Sequence, residues 1–130
     1  MILPDSDVMI DLLREYPPAK VWFDTIDDSE TMALSGFVVM ELIQGCRNKI
    51  QLEKLQRDLA FYETVWPESD DCEQALEIFA QYFLSHNAGL IDVLVGMTAV
   101  SLGVPLYTFN EKHYQFIPEL ETVQPYLKSA

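Results

Sequence analysis

This 130-residue chain is poor in positive charge, with eight Lys and Arg against 21 Asp and Glu and a formal net charge of −13. Such a balance excludes the basic footprint with which simple nucleic-acid binders hold phosphates. Contact with a polyanion would require bound cations to neutralise part of the site, whereas a basic partner protein would meet a complementary field. Histidine and cysteine are scarce too: His86, His113, Cys46 and Cys72 are the full set. Their spacing fits neither a zinc site nor a disulfide framework. Both cysteines are therefore expected to be small buried hydrophobes in the reducing cytoplasm. Long hydrophobic runs are also missing, since residues 89–107 are interrupted by Asp92, three glycines and Pro105. A membrane span needs roughly 20 mostly apolar residues, so no anchor is expected, and no signal peptide is visible. There are no repeats, low-complexity tracts or linkers, which makes 1–130 a single domain large enough for its own core.

What is present reads as an alternation of strands and helices. Residues 2–5 predict a first strand, in which Pro4 is an unusual choice. Ser6 or Asp7 caps a helix over 8–15, stopped by Pro17-Pro18, and a second helix covers 19–25. Residues 31–34 predict a strand, after which Ser35 caps a helix running to about Cys46. A helix over 51–61 follows, then a strand over 63–66, a helix capped by Ser69, and an apolar helix over 89–102 closed by Gly103. Residues 104–108 predict the next strand and 121–124 a last edge strand. This order implies an α/β sandwich around a mostly parallel sheet of four or five strands. Ligands bind such sheets beyond the carboxyl ends of the strands, where Asp5 and Thr108 both fall. Arg47, Lys49, Lys54 and Arg57 crowd into one segment and read as a solvated helix face.

Three acids stand alone in apolar surroundings. Asp92 is the only charged residue between Asn87 and Asn110, Glu41 is the only one between Thr31 and Cys46, and Asp5 follows Met1-Ile2-Leu3-Pro4. Burying an ionised carboxylate without a partner costs several kcal/mol or forces it to take a proton. Acids gathered without cations are matched by a hard divalent ion, Mg²⁺ or Mn²⁺, with water completing the coordination. Such an ion lowers the pKa of bound water and clamps phosphate oxygens, which makes phosphodiester hydrolysis the natural reaction. Each acid also has a plainer reading. Asp5 can be a turn residue, Glu41 can point outward at a helix end, and Asp92 can cap its own helix. Asp7 reads as a helix cap and Asp11 as solvent-facing.

The segment Asp5-Ser6-Asp7-Val8-Met9-Ile10-Asp11-Leu12-Leu13-Arg14 resembles the opening of the PIN domain (PilT N-terminus) family. Ser35 to Gly45, with Glu41-Leu42, is similar to that family's second motif. Gly89-Leu90-Ile91-Asp92-Val93-Leu94-Val95 through Ala99, followed by Gly103 to Leu106, is similar to its third. Thr108-Phe109-Asn110-Glu111-Lys112-His113-Tyr114 resembles the ending common in VapC-type toxins. The four motifs run in order along nearly the whole chain. The resemblance implies a PIN-like α/β/α sandwich and a metal-dependent endoribonuclease, the toxin of a type II toxin–antitoxin pair. It implies Asp5, Glu41 and Asp92 as ligands of Mg²⁺ or Mn²⁺ and as catalytic residues. Asn110 stands where many relatives have a fourth acid and would bind through its carbonyl oxygen or orient a metal-bound water, while Ser6 and Thr108 would support the site. RNA as substrate, a cognate antitoxin that occludes the pocket, and a homodimer are implied as partners. Two other readings remain open at this stage. One is a catalytically inactive PIN-fold binding module. The other is a haloacid-dehalogenase-like phosphatase, because Asp5-Ser6-Asp7-Val8 also resembles that family's aspartyl nucleophile motif.

Overall fold

Five short strands form, all parallel: β1 (Leu3–Pro4), β2 (Ala33–Ser35), β3 (Glu63–Val65), β4 (Leu106–Tyr107) and β5 (Thr122–Val123). The computed structural model describes residues 1–128, so Ser129 and Ala130 of the expected 1–130 span lie outside the described residues. Six α-helices connect the strands: α1 (Ser6–Leu13), α2 (Pro17–Asp24), α3 (Gly36–Gln44), α4 (Lys49–Leu59), α5 (Ser69–His86) and α6 (Leu90–Leu102). One ladder joins β1, β4 and β5 and another joins β2 and β3, while a single parallel bridge from Ile2 to Met32 links the two. The resulting order β3-β2-β1-β4-β5 reverses direction between β1 and β4. In open parallel sheets that reversal opens a crevice at the strands' carboxyl ends.

Pro4 explains why the sheet is pinched. Ile2 exchanges both its bonds with the β2 side, donating to Thr31 O at 2.8 Å and accepting from Ala33 N at 3.0 Å. Asp5 instead donates to Tyr107 O on the β4 side at 2.8 Å. Successive residues of a strand alternate in this way, so Pro4 faces β2 and has no N–H to offer it. Pairing with β2 therefore shrinks to one bridge, and the β4 ladder is left intact.

The core lies against both faces of β1. Helix α6 is apolar nearly all round, and Val93, Val95, Met97 and Ala99 are sealed from solvent beside Leu3, Leu34, Val38 and Leu106. A helix of that kind belongs inside a domain. Among the described residues, no helix is long and apolar enough to cross a membrane. Buried hydroxyls satisfy each other where α3 meets α6: Ser35 Oγ lies 3.1 Å from Thr98 Oγ1, which donates to Leu94 O. Ser35 also caps α3 as expected, accepting from Phe37 N.

Several local expectations need correcting. The cap of α1 is Asp5, whose side chain accepts from Ser6 N, and not Ser6 or Asp7. Glu68, without a side-chain capping bond, precedes α5 in place of the expected Ser69 cap. Helix α1 runs over Ser6–Leu13 rather than 8–15 and is closed by Glu15 in the left-handed region at φ 58°, ahead of Pro17 and Pro18, which instead open α2, where a missing N–H costs nothing. Cys72 is exposed and Cys46 half-buried, so neither is a core residue. Asp11 is largely covered: Tyr126 OH donates to its Oδ2 at 2.7 Å and Lys128 Nζ lies 3.1 Å from the same oxygen. The basic segment does form a solvated face, with exposed pairs Lys49–Glu53 and Lys54–Asp58 one turn apart.

Gly103 closes α6 in the left-handed region at φ 67°, with nothing within 4 Å of where a Cβ would sit. The cost of a side chain there is purely conformational. Gly103→Ala is expected to lower unfolding stability by about 1 kcal/mol, measured by urea titration. An unchanged midpoint would mean that the turn relaxes freely.

Candidate active site

The crevice at the β1/β4 reversal is built around Asp5, the first residue past β1 and only 3% exposed. Its burial follows from chain geometry, because a strand buried on both faces delivers its next side chain into the interior. Three donors compensate the carboxylate. Ser6 N–H gives to Oδ1 at 2.8 Å, and the hydroxyls of Thr108 and Tyr114 give to Oδ2 at 2.9 and 2.8 Å. Thr108 is held there because its backbone N–H, just beyond β4, pairs with Val123 O of β5. Tyr114 follows a 3-10 turn over Glu111–His113 and is itself almost fully buried.

Glu41 sits inside α3 with its turn facing the start of α1, away from the helix end. Its Oε1 is buried without a hydrogen-bond partner. Burial raises its pKa to about 7, and the charges of Asp5, Asp92 and Asp7 push the same way, opposed only by the Ser6 side chain. Asp92 occupies the first turn of α6 but makes no capping bond. Instead it folds back over Gly89, where a Cβ would lie 2.8 Å from Asp92 Oδ2, so only glycine leaves room for the carboxylate. Tyr114 OH reaches Asp92 Oδ1 at 3.4 Å and His113 Nδ1 lies 3.6 Å from Oδ2. Burial first, then Asp5, raise the Asp92 pKa, and His113 and Tyr114 oppose them. Asp92 thus makes no capping hydrogen bond although it stays in the first turn of α6, and Glu41 does not point outward at a helix end.

Asp7 is not the helix cap expected for it but lies inside the first turn of α1. One oxygen accepts from Val8 N at 2.8 Å, and the other crosses to the loop after β4, accepting from Phe109 N at 2.9 Å and Asn110 Nδ2 at 3.2 Å. Burial and then Asp5 raise its pKa. Asn110 lies on the exposed rim, its amide nitrogen committed to Asp7 and its backbone N–H to Thr108 Oγ1. The fold therefore brings Asp5, Glu41 and Asp92 into one electrostatic neighbourhood, with Ser6 and Thr108 beside them. Asn110 is joined to the set only through Asp7 and Thr108.

Sequence reasoning passed over Asp7 as a strut, His113 as a neighbour of Asp92, and Tyr114. A tyrosine in an otherwise apolar fold is a usable signal, because a buried phenol seeks an acceptor. Burial, then the charges of Asp5 and Asp92, push the Tyr114 phenol far above its ordinary range, so it stays a donor.

The donor set suits a hard divalent ion. Its oxygens are carboxylate oxygens, one of them has no hydrogen-bond partner, and among the described residues neither Glu41 nor Asp92 forms an ion pair with Lys or Arg. Among the described residues, no three Asp, Glu, His or Cys side chains are drawn together tightly enough to form a ready-made cage. Ion-bound water would have to bridge the remaining distance.

The raised Glu41 pKa carries a stability consequence. The folded protein holds this proton more tightly than the unfolded chain, so Glu41 supports folding below pH 4.5 and that support is lost as pH climbs to about 7. In EDTA, the melting temperature of the unaltered protein should fall relative to Glu41→Gln across that window. Parallel curves would show that Glu41 is not held in the field described.

Comparison with known proteins gives a consistent picture. The PIN domain family profile matches residues 2–117. The chain is similar to Ribonuclease VapC10 of Mycobacterium tuberculosis, at 32% identity over 122 residues covering 93% of this chain and 91% of that protein. It is also similar to Ribonuclease VapC19 of the same organism, at 29% identity, covering 93% and 98%. In three dimensions it is similar to a chain of a toxin–antitoxin complex from Klebsiella pneumoniae, with a TM-score of 0.74 and 24% identity, covering 97% and 98%.

Proposed function

Because the chain belongs to the PIN domain family, we propose that it is a metal-dependent endoribonuclease and the toxin of a type II toxin–antitoxin pair. The observation that carries this reading is Oε1 of Glu41, buried without a hydrogen-bond partner in the field of Asp5 and Asp92, while Arg14 and Lys54 line the cleft that opens beside it. Asp5, Glu41 and Asp92 would hold Mg²⁺ or Mn²⁺, and Asn110 would act from the rim. When bound, the ion supplies a nucleophilic water at neutral pH and charge neutralisation at the phosphate. The chain's own residues do the rest. Ser6, Thr108 and Tyr114 fix Asp5 so that its charge faces the crevice. Gly89 lets Asp92 lie flat against the α6 N-terminus, whose dipole steadies the anion. Asp7 ties the first turn of α1 to Phe109 and Asn110, setting the width of the crevice mouth. Cation loading also answers the charge problem, since a chain at −13 could not otherwise accept a phosphodiester.

The antitoxin would occlude the acidic pocket and the helices beside it. A cleft of about 430 Å³ runs from Glu41 between α1, α3 and α4, lined by Ile10, Leu13, Leu42, Cys46 and Leu55. Arg14, Lys54 and Asp58 line it as well, so it would take an amphipathic partner helix, and basic side chains of that partner would sit against the carboxylates. Leu76, Phe83, Leu84 and Leu90, exposed on α5 and at the start of α6, support a homodimer. We place the protein with its RNA substrate in the cytoplasm.

The phosphatase reading is dropped on two grounds. Family membership points elsewhere, and both oxygens of Asp5 are occupied by donors, which suits a fixed ligand better than an attacking nucleophile. The inactive binding module is the remaining competitor, favoured by an amide at position 110.

Purified protein freed of its partner is expected to cut defined RNAs with Mg²⁺ or Mn²⁺ and not with EDTA. Asp92→Asn should lower the rate by about two orders of magnitude while its melting curve stays near that of the parent. RNA left intact under every metal condition by demonstrably folded protein would favour the binding module.

A further inference from the structure

Tyr114 has no role in the site expected from the sequence, yet its hydroxyl donates to one of the three proposed ligands and lies close to a second. It lies 2.8 Å from Asp5 Oδ2 and 3.4 Å from Asp92 Oδ1, on a side chain 2% exposed. A phenol has one proton to give. The shorter contact takes it, so Asp5 holds the proton of Tyr114 and Asp92 Oδ1 stands at the edge of its reach. The remaining contacts of Asp5 show what this arrangement does. Oδ2 accepts from both Thr108 and Tyr114, which fills its two lone pairs, whereas Oδ1 accepts from Ser6 N–H alone. One lone pair of Asp5 therefore stays open, and it belongs to the oxygen that Tyr114 does not touch.

We propose that Tyr114 is a positioning residue for the metal site: its hydroxyl pins Oδ2 of Asp5 and so presents Oδ1, with its open lone pair, to the ion. This rests on the reading that these acids hold a divalent cation. Like-charged acids with no ion between them repel, and a neutral donor on Asp5 holds that carboxylate in place before the ion arrives. The contribution is therefore preorganisation. It affects how readily the ion enters more than how fast the loaded site turns over. The neighbouring contacts fit this assignment. The backbone of Tyr114 is held by Glu111 O at 3.0 Å, and Ile117 N–H bonds back to its carbonyl at 3.1 Å. The ring is thus set independently of the hydroxyl, and losing the oxygen leaves the ring's packing in place.

The test is Mn²⁺ binding to the full chain, followed by the electron paramagnetic resonance of free Mn²⁺, for the unaltered protein and Tyr114→Phe. The expected result is roughly tenfold weaker Mn²⁺ binding in the variant. At saturating Mn²⁺ its cleavage rate should come within a few-fold of the parent. Equal Mn²⁺ affinities in the two proteins would overturn the assignment while leaving the metal site intact. Unaltered protein that binds no Mn²⁺ would overturn the underlying reading and this one with it. Should Tyr114→Phe fail to fold, the hydroxyl proton of Tyr114 in the unaltered protein gives a second measurement. Its resonance should shift on Mg²⁺ titration with the midpoint of ion binding, and a resonance that does not move would refute the proposal.

Discussion

The candidate site is organised around a carboxylate buried at the end of a central strand, with no ion pair to it among the described residues. Asp5 sits at the point where β1 hands over to α1, and three donors from three parts of the chain converge on it. Those donors come from the first turn of α1, the residue after β4, and the segment beyond the 3-10 turn. A buried charge left without such bonds would be strongly destabilising. Because the bonds exist, the same charge locks residues more than a hundred positions apart into one register. The constraint that makes the site costly is thus also the one that assembles it.

The electrostatics of the other acids follow from that centre. Asp7, Glu41 and Asp92 all have raised pKa values, with burial as the first cause and Asp5 the next. Net charge and local charge act in the same direction, so a divalent cation is the species whose arrival would relieve the strain without rearranging the core. The partner reading follows from the same physics. A basic, amphipathic segment could satisfy the acids electrostatically and the cleft beside Glu41 hydrophobically, whereas RNA alone would be repelled.

Pro4 shows how the scaffold protects this arrangement. A missing N–H in a central strand would ordinarily break a sheet, yet here it falls on the β2 side and spares the β4 ladder that carries Asp5 and Thr108. The expense falls on β1–β2 pairing, which is reduced to one bridge. Helix α6, sealed on nearly all sides, then holds Asp92 at its exposed first turn while its body anchors the core.

Much of the fold was legible in order and type, because periodic apolar residues, Ser35 at a helix start and Gly103 at a helix end are local signals. Isolation among apolar neighbours was enough to single out Asp5, Glu41 and Asp92, since an unpaired charge in such a setting demands a reason. Caps were less legible: Asp5, Ser6 and Asp7 are all competent capping residues, and only the backbone path of β1 decides among them. Asp11, Asp7 and Tyr114 could not be placed, because their partners Tyr126, Phe109 and Asp5 lie far away along the chain. Local sequence determined which segments are strands and helices and which charges are out of place. The tertiary structure alone decided which oxygens are satisfied and which is left open, because hydrogen bonds across a hundred residues are set by how the strands stack and by nothing in their neighbours.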